Sequence, residues 1–188
     1  MNRYLQLLNL VFWFALELSR PAVAFSLAER LSSTTSLGLL LSVQSLLPLL
    51  LAIPIGIAGD RLGARLMLPV GAALMLCSGV VYWATGSLVL PDRGYVVAML
   101  IAQVLNGLAW LLVWIATQAL VSSAGTPGLS SAAAGEATRK RVQMLALTAS
   151  LGALAGPAVS GWLHPLGDGS VVWLVFVAAA GALLLLAV

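Results

Sequence analysis

One cysteine and one histidine occur in 188 residues, and only 8% of positions carry charge. A lone cysteine, Cys77, can close no disulfide within the chain, so cysteine usage is silent on the redox compartment. With a single His164 beside it, no Cys/His metal site can be assembled, and no metal is expected. The scarcity of charge excludes a soluble domain of this size, because such domains carry about a quarter of their residues ionised. A nucleic-acid partner is not expected either. The net charge is +3, but the basic residues are scattered at the ends of apolar runs instead of gathered in a patch.

What is present is hydrocarbon-compatible: 61% of residues are hydrophobic, and the mean hydropathy is +1.06. Six apolar runs lie at about 7–27, 36–57, 66–84, 95–121, 142–163 and 171–188, the lengths that bilayer crossings require. The expected fold is therefore all-α and integral to the membrane, one bundle of six transmembrane helices over 1–188, with the lipid bilayer as first partner. Polar or turn-forming breaks fall at 29–35, 90–94 and 166–170. The longest break, 122–141, is rich in Ser, Ala and Gly and ends in Arg139, Lys140 and Arg141; it reads as a flexible or weakly helical cytoplasmic linker.

Loop charge sets the orientation, because Lys and Arg are retained on the cytoplasmic side. Arg3, Arg61, Arg65, Arg139, Lys140 and Arg141 fall on one side if the runs alternate, and Arg30 and Arg93 on the other. Both termini are then cytoplasmic. Arg3, the apolar stretch after it and Ala22-Val23-Ala24 imitate a secretory leader, but Glu17 and Arg20 interrupt the approach to a cleavage site, so an uncleaved first helix is expected.

Two runs carry polar residues at helical spacing. In the first, Asn9, Trp13, Glu17 and Arg20 form one stripe, with Glu17 and Arg20 three residues apart and able to pair. Each charge at mid-span costs roughly 2.5–3.5 kcal/mol, so this face should not meet lipid. Either the pair fixes helix packing, or it lines a watery cavity in which Glu17 exchanges a proton and Arg20 holds an anionic group; intramembrane charge favours the cavity. In the fourth run, Gln103, Asn106, Trp110, Trp114 and Thr117 repeat the stripe without charge. Interhelical hydrogen bonding explains it as simply as a substrate lining does. Gln44 of the second run joins the candidate substrate and proton cavity of Trp13, Glu17, Arg20, Gln103, Asn106, Trp110 and Trp114.

Between the second and third runs stands Gly56-Ile57-Ala58-Gly59-Asp60-Arg61-Leu62-Gly63-Ala64-Arg65. A tight re-entry needs small residues where backbones approach and charges that stay at the boundary, which Gly56, Gly59, Gly63, Asp60, Arg61 and Arg65 supply. This spacing resembles the signature loop of the major facilitator superfamily of secondary transporters, with Ala64 at one usually basic position. Gln103-Val104-Leu105-Asn106-Gly107 is similar to the family's fourth-helix motif, with Gln103 at the position of an arginine that the family associates with proton coupling. In the fifth run, Gly152, Gly156, Pro157 and Gly161 resemble the exporter branch's signature, with Ser160 replacing one Gly. Small residues four apart allow close backbone approach, and Pro157 permits a bend.

The resemblance implies half of a major facilitator fold, two inverted three-helix repeats at about 1–87 and 94–188. The similarity of Val70-Gly71-Ala72-Ala73-Leu74 to Ala180-Gly181-Ala182-Leu183-Leu184 agrees with that. It also implies a secondary active transporter in a bacterial inner membrane, moving a small solute by alternating access, in the efflux direction of exporters and drug antiporters. No cofactor is implied beyond a coupled proton. The chain is then the N-terminal half of a longer protein or a half-size protein that pairs as a homodimer. The alternative is a non-transporting half or membrane partner subunit. The signature loop is expected to act as a cytoplasmic latch, so Asp60→Asn or Gly63→Leu should leave the stability of this half unchanged. An enzyme is not expected: Ser160 and His164 are four apart on one helix, with no partner for His164.

The orientation is testable in a Cys77→Ala background. Cysteine at position 131 should react only with reagents on the cytoplasmic side, and cysteine at 92 with impermeant external ones. The reverse pattern would overturn the orientation.

Overall fold

The computed structural model describes residues 3–31, 33–123, 131–166 and 170–188. Six helices account for nearly all of them: α1 Arg3–Arg30, α2 Thr34–Leu62, α3 Ala64–Ser87, α4 Asp92–Ser123, α5 Ser131–Leu163 and α6 Ser170–Ala187. A 3-10 turn, His164–Leu166, follows α5. All six helices are long and apolar enough to cross a membrane, and among the described residues there is no strand.

The helix boundaries follow local chemistry. Ser33 caps α2, its hydroxyl accepting from the Ser36 amide at 3.4 Å. Gly63 both ends α2 and begins α3. Its N–H donates to the Gly59 carbonyl at 2.8 Å, and its own carbonyl accepts from the Leu66 and Met67 amides at 3.2 and 3.3 Å. The turn needs φ +79° and ψ 153°, a region nearly restricted to glycine. The expected tolerance of Gly63→Leu is therefore wrong. No atom crowds the position, but the backbone alone imposes about 1–3 kcal/mol.

Of the flexible or weakly helical linker expected over 122–141, the helical alternative holds where residues are described. Residues 122–123 end α4, and α5 begins at Ser131, so 131–141 is helix; 124–130 lie outside the described residues. Alanine is the best helix former, and Glu136 pairs with Lys140 at 3.3 Å and Arg139 at 3.9 Å, the i,i+4 and i,i+3 contacts that support an exposed helical turn. The turn read at 90–94 is shorter than expected, because Asp92, Arg93 and Gly94 already belong to α4. The turn read at 166–170 lies mostly in 167–169, outside the described residues.

The helices pack in pairs. α5 lies along α1, and α2 along α4; α3 packs on both α4 and α6, and α6 also meets α1. Lipid tails are as apolar as leucine, so these contacts rest on close van der Waals fit rather than on the hydrophobic effect. Small residues set the distance. A Cβ at Gly152 would lie 2.6 Å from the Leu10 carbonyl oxygen and 2.8 Å from the Phe14 nitrogen; at Gly156 it would lie 2.7 Å from both the Phe14 oxygen and the Leu18 nitrogen. The obstacle is α1 backbone, which cannot swing aside. Gly161, expected in the same surface, has no atom within 4 Å of its Cβ position, and Pro157 is exposed. Their register explains this: 145, 152, 156, 160 and 163 face inward, while 157 and 161 fall on the other side.

Elsewhere Gly71 admits α4 at Leu112 and Val113, and Gly79 admits the Phe176 ring of α6. Gly181, matched to Gly71 in the repeat comparison, is open to space. That short similarity therefore does not mark equivalent contacts. Tyr82 stacks on Trp173 at 4.5 Å and meets Phe176 edge-on at 6.0 Å, joining α3 to α6. The outer faces of α2 (Leu39, Leu46, Leu49, Leu50, Ile53, Ile57) and α5 (Met144, Leu147, Leu151, Leu154) are exposed apolar stripes.

Gly156→Ala should lower stability by about 1–3 kcal/mol through overpacking, and Gly161→Ala should not lower it. Thermal melts of the two variants in one detergent check this. Equal losses would contradict the α1–α5 contact.

Candidate functional site

Glu17 and Arg20 sit one turn apart near the middle of α1, with Arg20 Nη1 2.7 Å from Glu17 Oε1. The Arg20 guanidinium also lies over the Trp110 ring of α4, 5.3 Å from its centroid. The Arg20 side chain is still 38% exposed and Glu17 14%, so α1 turns this turn toward an open face. Pro21 follows at once. Proline has no N–H, so the Glu17 carbonyl loses its helical donor.

Gln44 of α2 reaches the same place by a parallel device. Pro48, four residues on, removes the donor to the Gln44 carbonyl, and Gly107 of α4 sits against that carbonyl. A Cβ at Gly107 would lie 2.9 Å from the Gln44 oxygen, so only glycine lets α2 come this close to α4. The Gln44 side chain is buried, and its Nε2 has no hydrogen-bond partner. A buried donor left unpaired costs about 1–3 kcal/mol.

Between these elements lies a cavity of about 260 Å³ lined by Arg20, Ala24, Leu41, Gln44, Ser45 and Gln103. Three sequence candidates, Arg20, Gln44 and Gln103, thus meet in one cavity. Gln103 is buried and also structural: its Oε1 accepts from the Tyr82 hydroxyl at 3.1 Å. Asn106 is wholly buried behind the cavity and donates to Ser19 Oγ of α1 at 3.1 Å; its Oδ1 has no partner. It ties α4 to α1. Thr117 is buried and donates to the Val113 carbonyl at 2.6 Å within its own helix.

The two stripes therefore divide. Asn9 is buried against α5, its Nδ2 donating to the Leu145 carbonyl at 2.9 Å and Thr148 Oγ1 at 2.8 Å. Trp13 is half-buried and meets Trp114 edge-on at 5.6 Å; its Nε1 is buried without a partner. Trp110 covers Arg20, and Trp114 is exposed. Asn9, Asn106 and Thr117 face into the bundle, whereas Trp13, Glu17, Arg20 and Trp110 are part-buried and Trp114 is exposed.

The signature loop stands apart from the cavity. Asp60, Arg61 and Arg65 are exposed, and among the described residues none of the three makes an ion pair. Gly56 has nothing near its Cβ position, so close packing does not require it. Gly59 is the close contact, against the flexible Met67 side chain at 2.6 Å.

At the opposite end, His164 has the partner that the sequence did not show: its Nε2 lies 3.3 Å from Glu29 Oε1, and its ring lies against Phe25 at 4.7 Å. Nearby, Arg30 lies over the Tyr95 ring at 4.4 Å, and the Tyr95 hydroxyl donates to the Ser26 carbonyl at 3.0 Å. Ser19, Ser45, Tyr82 and Glu29 were not singled out as site residues, and Gly107 entered only through the fourth-helix motif. Pro21 and Pro48, each four residues after a polar side chain, were the available signal for α1 and α2.

No family model, no curated protein and no solved structure matches the chain.

Gln103 can be tested through its partner. A double-mutant cycle of Tyr82→Phe and Gln103→Leu should give a coupling of about 0.6–1.7 kcal/mol in unfolding measurements, the range for hydrogen bonds between membrane helices. Independent effects would mean that Tyr82 does not hold Gln103.

Proposed function

We propose that this chain is a six-helix half of a secondary transporter, carrying a small solute through a cavity between α1, α2 and α4 by alternating access. The observation that carries the reading is the Glu17–Arg20 pair at mid-span, with the Arg20 side chain 38% exposed and Glu17 14%. Hydrocarbon cannot solvate it, at roughly 2.5–3.5 kcal/mol per charge. Its open side is therefore water, a solute or a second half.

The packing pattern supports two inverted repeats, 1–87 and 94–188. Exchange α1 with α4, α2 with α5 and α3 with α6, and the pairs map onto one another: α1 on α5 becomes α4 on α2, α1 on α6 becomes α4 on α3, and α3 on α6 is unchanged. The exposed, unpaired Asp60, Arg61 and Arg65 support the latch reading, since the loop has charges to offer to something outside this chain. The resemblance to the exporter branch then assigns a bacterial inner membrane, cytoplasmic termini, efflux, no chemical catalysis, and either a missing C-terminal half or a second copy as partner.

The second reading is a partner subunit that does not itself transport. It is favoured by Asn9, Asn106 and Gln103, whose hydrogen bonds serve assembly. Proteoliposomes loaded with a panel of small solutes separate the two. Release of at least one solute faster than from empty vesicles, with loss of that release in Arg20→Ala, is expected for a transporter. Release at the empty-vesicle rate, or release unaffected by Arg20→Ala, would overturn the reading.

A further inference from the structure

A second cavity, of about 230 Å³, lies at the end of the bundle opposite the signature loop, where α1 and α3 end and α4 and α6 begin. Four helices build its wall: Ser26, Glu29 and Arg30 come from α1, Thr85 from α3, Tyr95 from α4 and Trp173 from α6. The floor is closed, since Thr85, Tyr95 and Trp173 are each at most 3% exposed. The rim is charged, with Glu29 and Arg30 both exposed.

The two rim charges are of opposite sign and do not neutralise each other. Neighbouring residues on a helix point about 100° apart, and among the described residues Arg30 makes no ion pair. Arg30 is nevertheless held in place. Its guanidinium lies over the Tyr95 ring, 4.4 Å from the centroid, and that ring is anchored by its hydroxyl, which donates to the Ser26 carbonyl at 3.0 Å. Of its five N–H groups, one reaches the Leu90 carbonyl at a long 3.5 Å. The others are free for an acidic group, which a guanidinium fork receives through two oxygens at once. On the acceptor side, Glu29 meets His164 through Oε1 at 3.3 Å, and its Oε2 has no partner among the described residues. Thr85 donates its proton to the Tyr82 carbonyl at 2.7 Å, so what remains to its Oγ1 is acceptor capacity.

A ligand of one sign is ill matched to this rim. A simple anion on Arg30 sits beside Glu29, and a simple cation on Glu29 sits beside Arg30. A molecule that carries both charges satisfies both residues, and the volume, equal to about seven or eight waters at roughly 30 Å³ each, holds something the size of an amino acid. We infer that this cavity binds a small zwitterion with a primary ammonium and an acidic group, the acid on Arg30 and the ammonium on Glu29 and Thr85. A free amino acid and the phosphoethanolamine head of a lipid share that chemistry. The site is separate from the cavity between α1, α2 and α4, and it does not depend on the transporter reading.

Equilibrium binding of radiolabelled leucine to the full chain in phosphatidylcholine nanodiscs, with empty nanodiscs as baseline, tests this. Saturable binding is expected. Unlabelled leucine should displace it, whereas N-acetylleucine, which lacks the ammonium, and leucine methyl ester, which lacks the carboxylate, should each compete at least about tenfold less well. Glu29→Gln and Arg30→Gln should each weaken binding by about tenfold or more, the loss of one charge-assisted contact. His164→Gln should leave it unchanged, because it removes a neighbour of Glu29 that does not line the cavity. The competition uses the unmodified chain, so it does not hang on how the variants fold. Exchanging part of the phosphatidylcholine for phosphatidylethanolamine separates the two sources: undiminished leucine binding identifies a free solute, displacement identifies the lipid head, and each supports the zwitterion class. No saturable binding in phosphatidylcholine, equal competition by either singly charged analogue, or binding untouched by Glu29→Gln and Arg30→Gln would overturn the inference. So would an equal loss in His164→Gln and Glu29→Gln, which would make Glu29 a packing residue.

Discussion

The structure depends on how one ion pair is kept inside a membrane-spanning helix. Glu17 and Arg20 each oppose insertion, and their 2.7 Å contact offsets part of that cost without removing the need for a polar surround. Most of the rest of α1 is covered, although Leu7 and Phe25 are exposed. α5 lies against one side through Gly152 and Gly156, α6 packs behind, and Leu8, Phe12, Leu16, Val23 and Leu27 fill the core. The face with the pair is left partly open, and Trp110 on α4 covers the guanidinium there.

Polar residues elsewhere follow from that arrangement. Asn9 fastens α1 to α5, Asn106 fastens α4 to α1, and Gln103 fastens α4 to α3 through Tyr82. Each such bond is modest in a membrane, about 0.6 kcal/mol on average, yet each fixes rotation of a helix about its axis. Rotation is what brings Gln103 and Arg20 to the same cavity. On α2 the fit depends on Gly107, which accepts the Gln44 backbone where Pro48 has left a carbonyl free. A structural contact thus places the Gln44 side chain at the cavity.

The sequence made the spans and the Glu17–Arg20 pair legible because both are local: one is a run of apolar residues, the other a three-residue step on one helix. The Gly152 and Gly156 contact was legible for the same reason. What escaped was set by long-range packing or by competition between tendencies. Glycine pattern alone cannot say which faces are used, so Gly161 and Gly181 were included although both face open space. A Ser/Ala/Gly stretch reads as linker until alanine propensity and the Glu136 pairs win over 131–141. Glu29 and His164 are 135 positions apart, and no periodicity could have joined them. The roles of Gln103 and Asn106 were left between lining and assembly; hydrogen bonds tie both to neighbouring helices, and Gln103 also borders the cavity.

Whether water reaches the middle of the bundle is the point on which this account turns. In membranes and a Cys77→Ala background, the rate at which a charged thiosulfonate modifies cysteine at position 24 should be compared with that at position 53. Ala24 lines the cavity beside Arg20, and Ile53 lies on the outer apolar stripe of α2. Fast modification at 24 with none at 53 is predicted. No modification at 24, or modification at 53 alone, would contradict a hydrated cavity and leave the ion pair as a packing device.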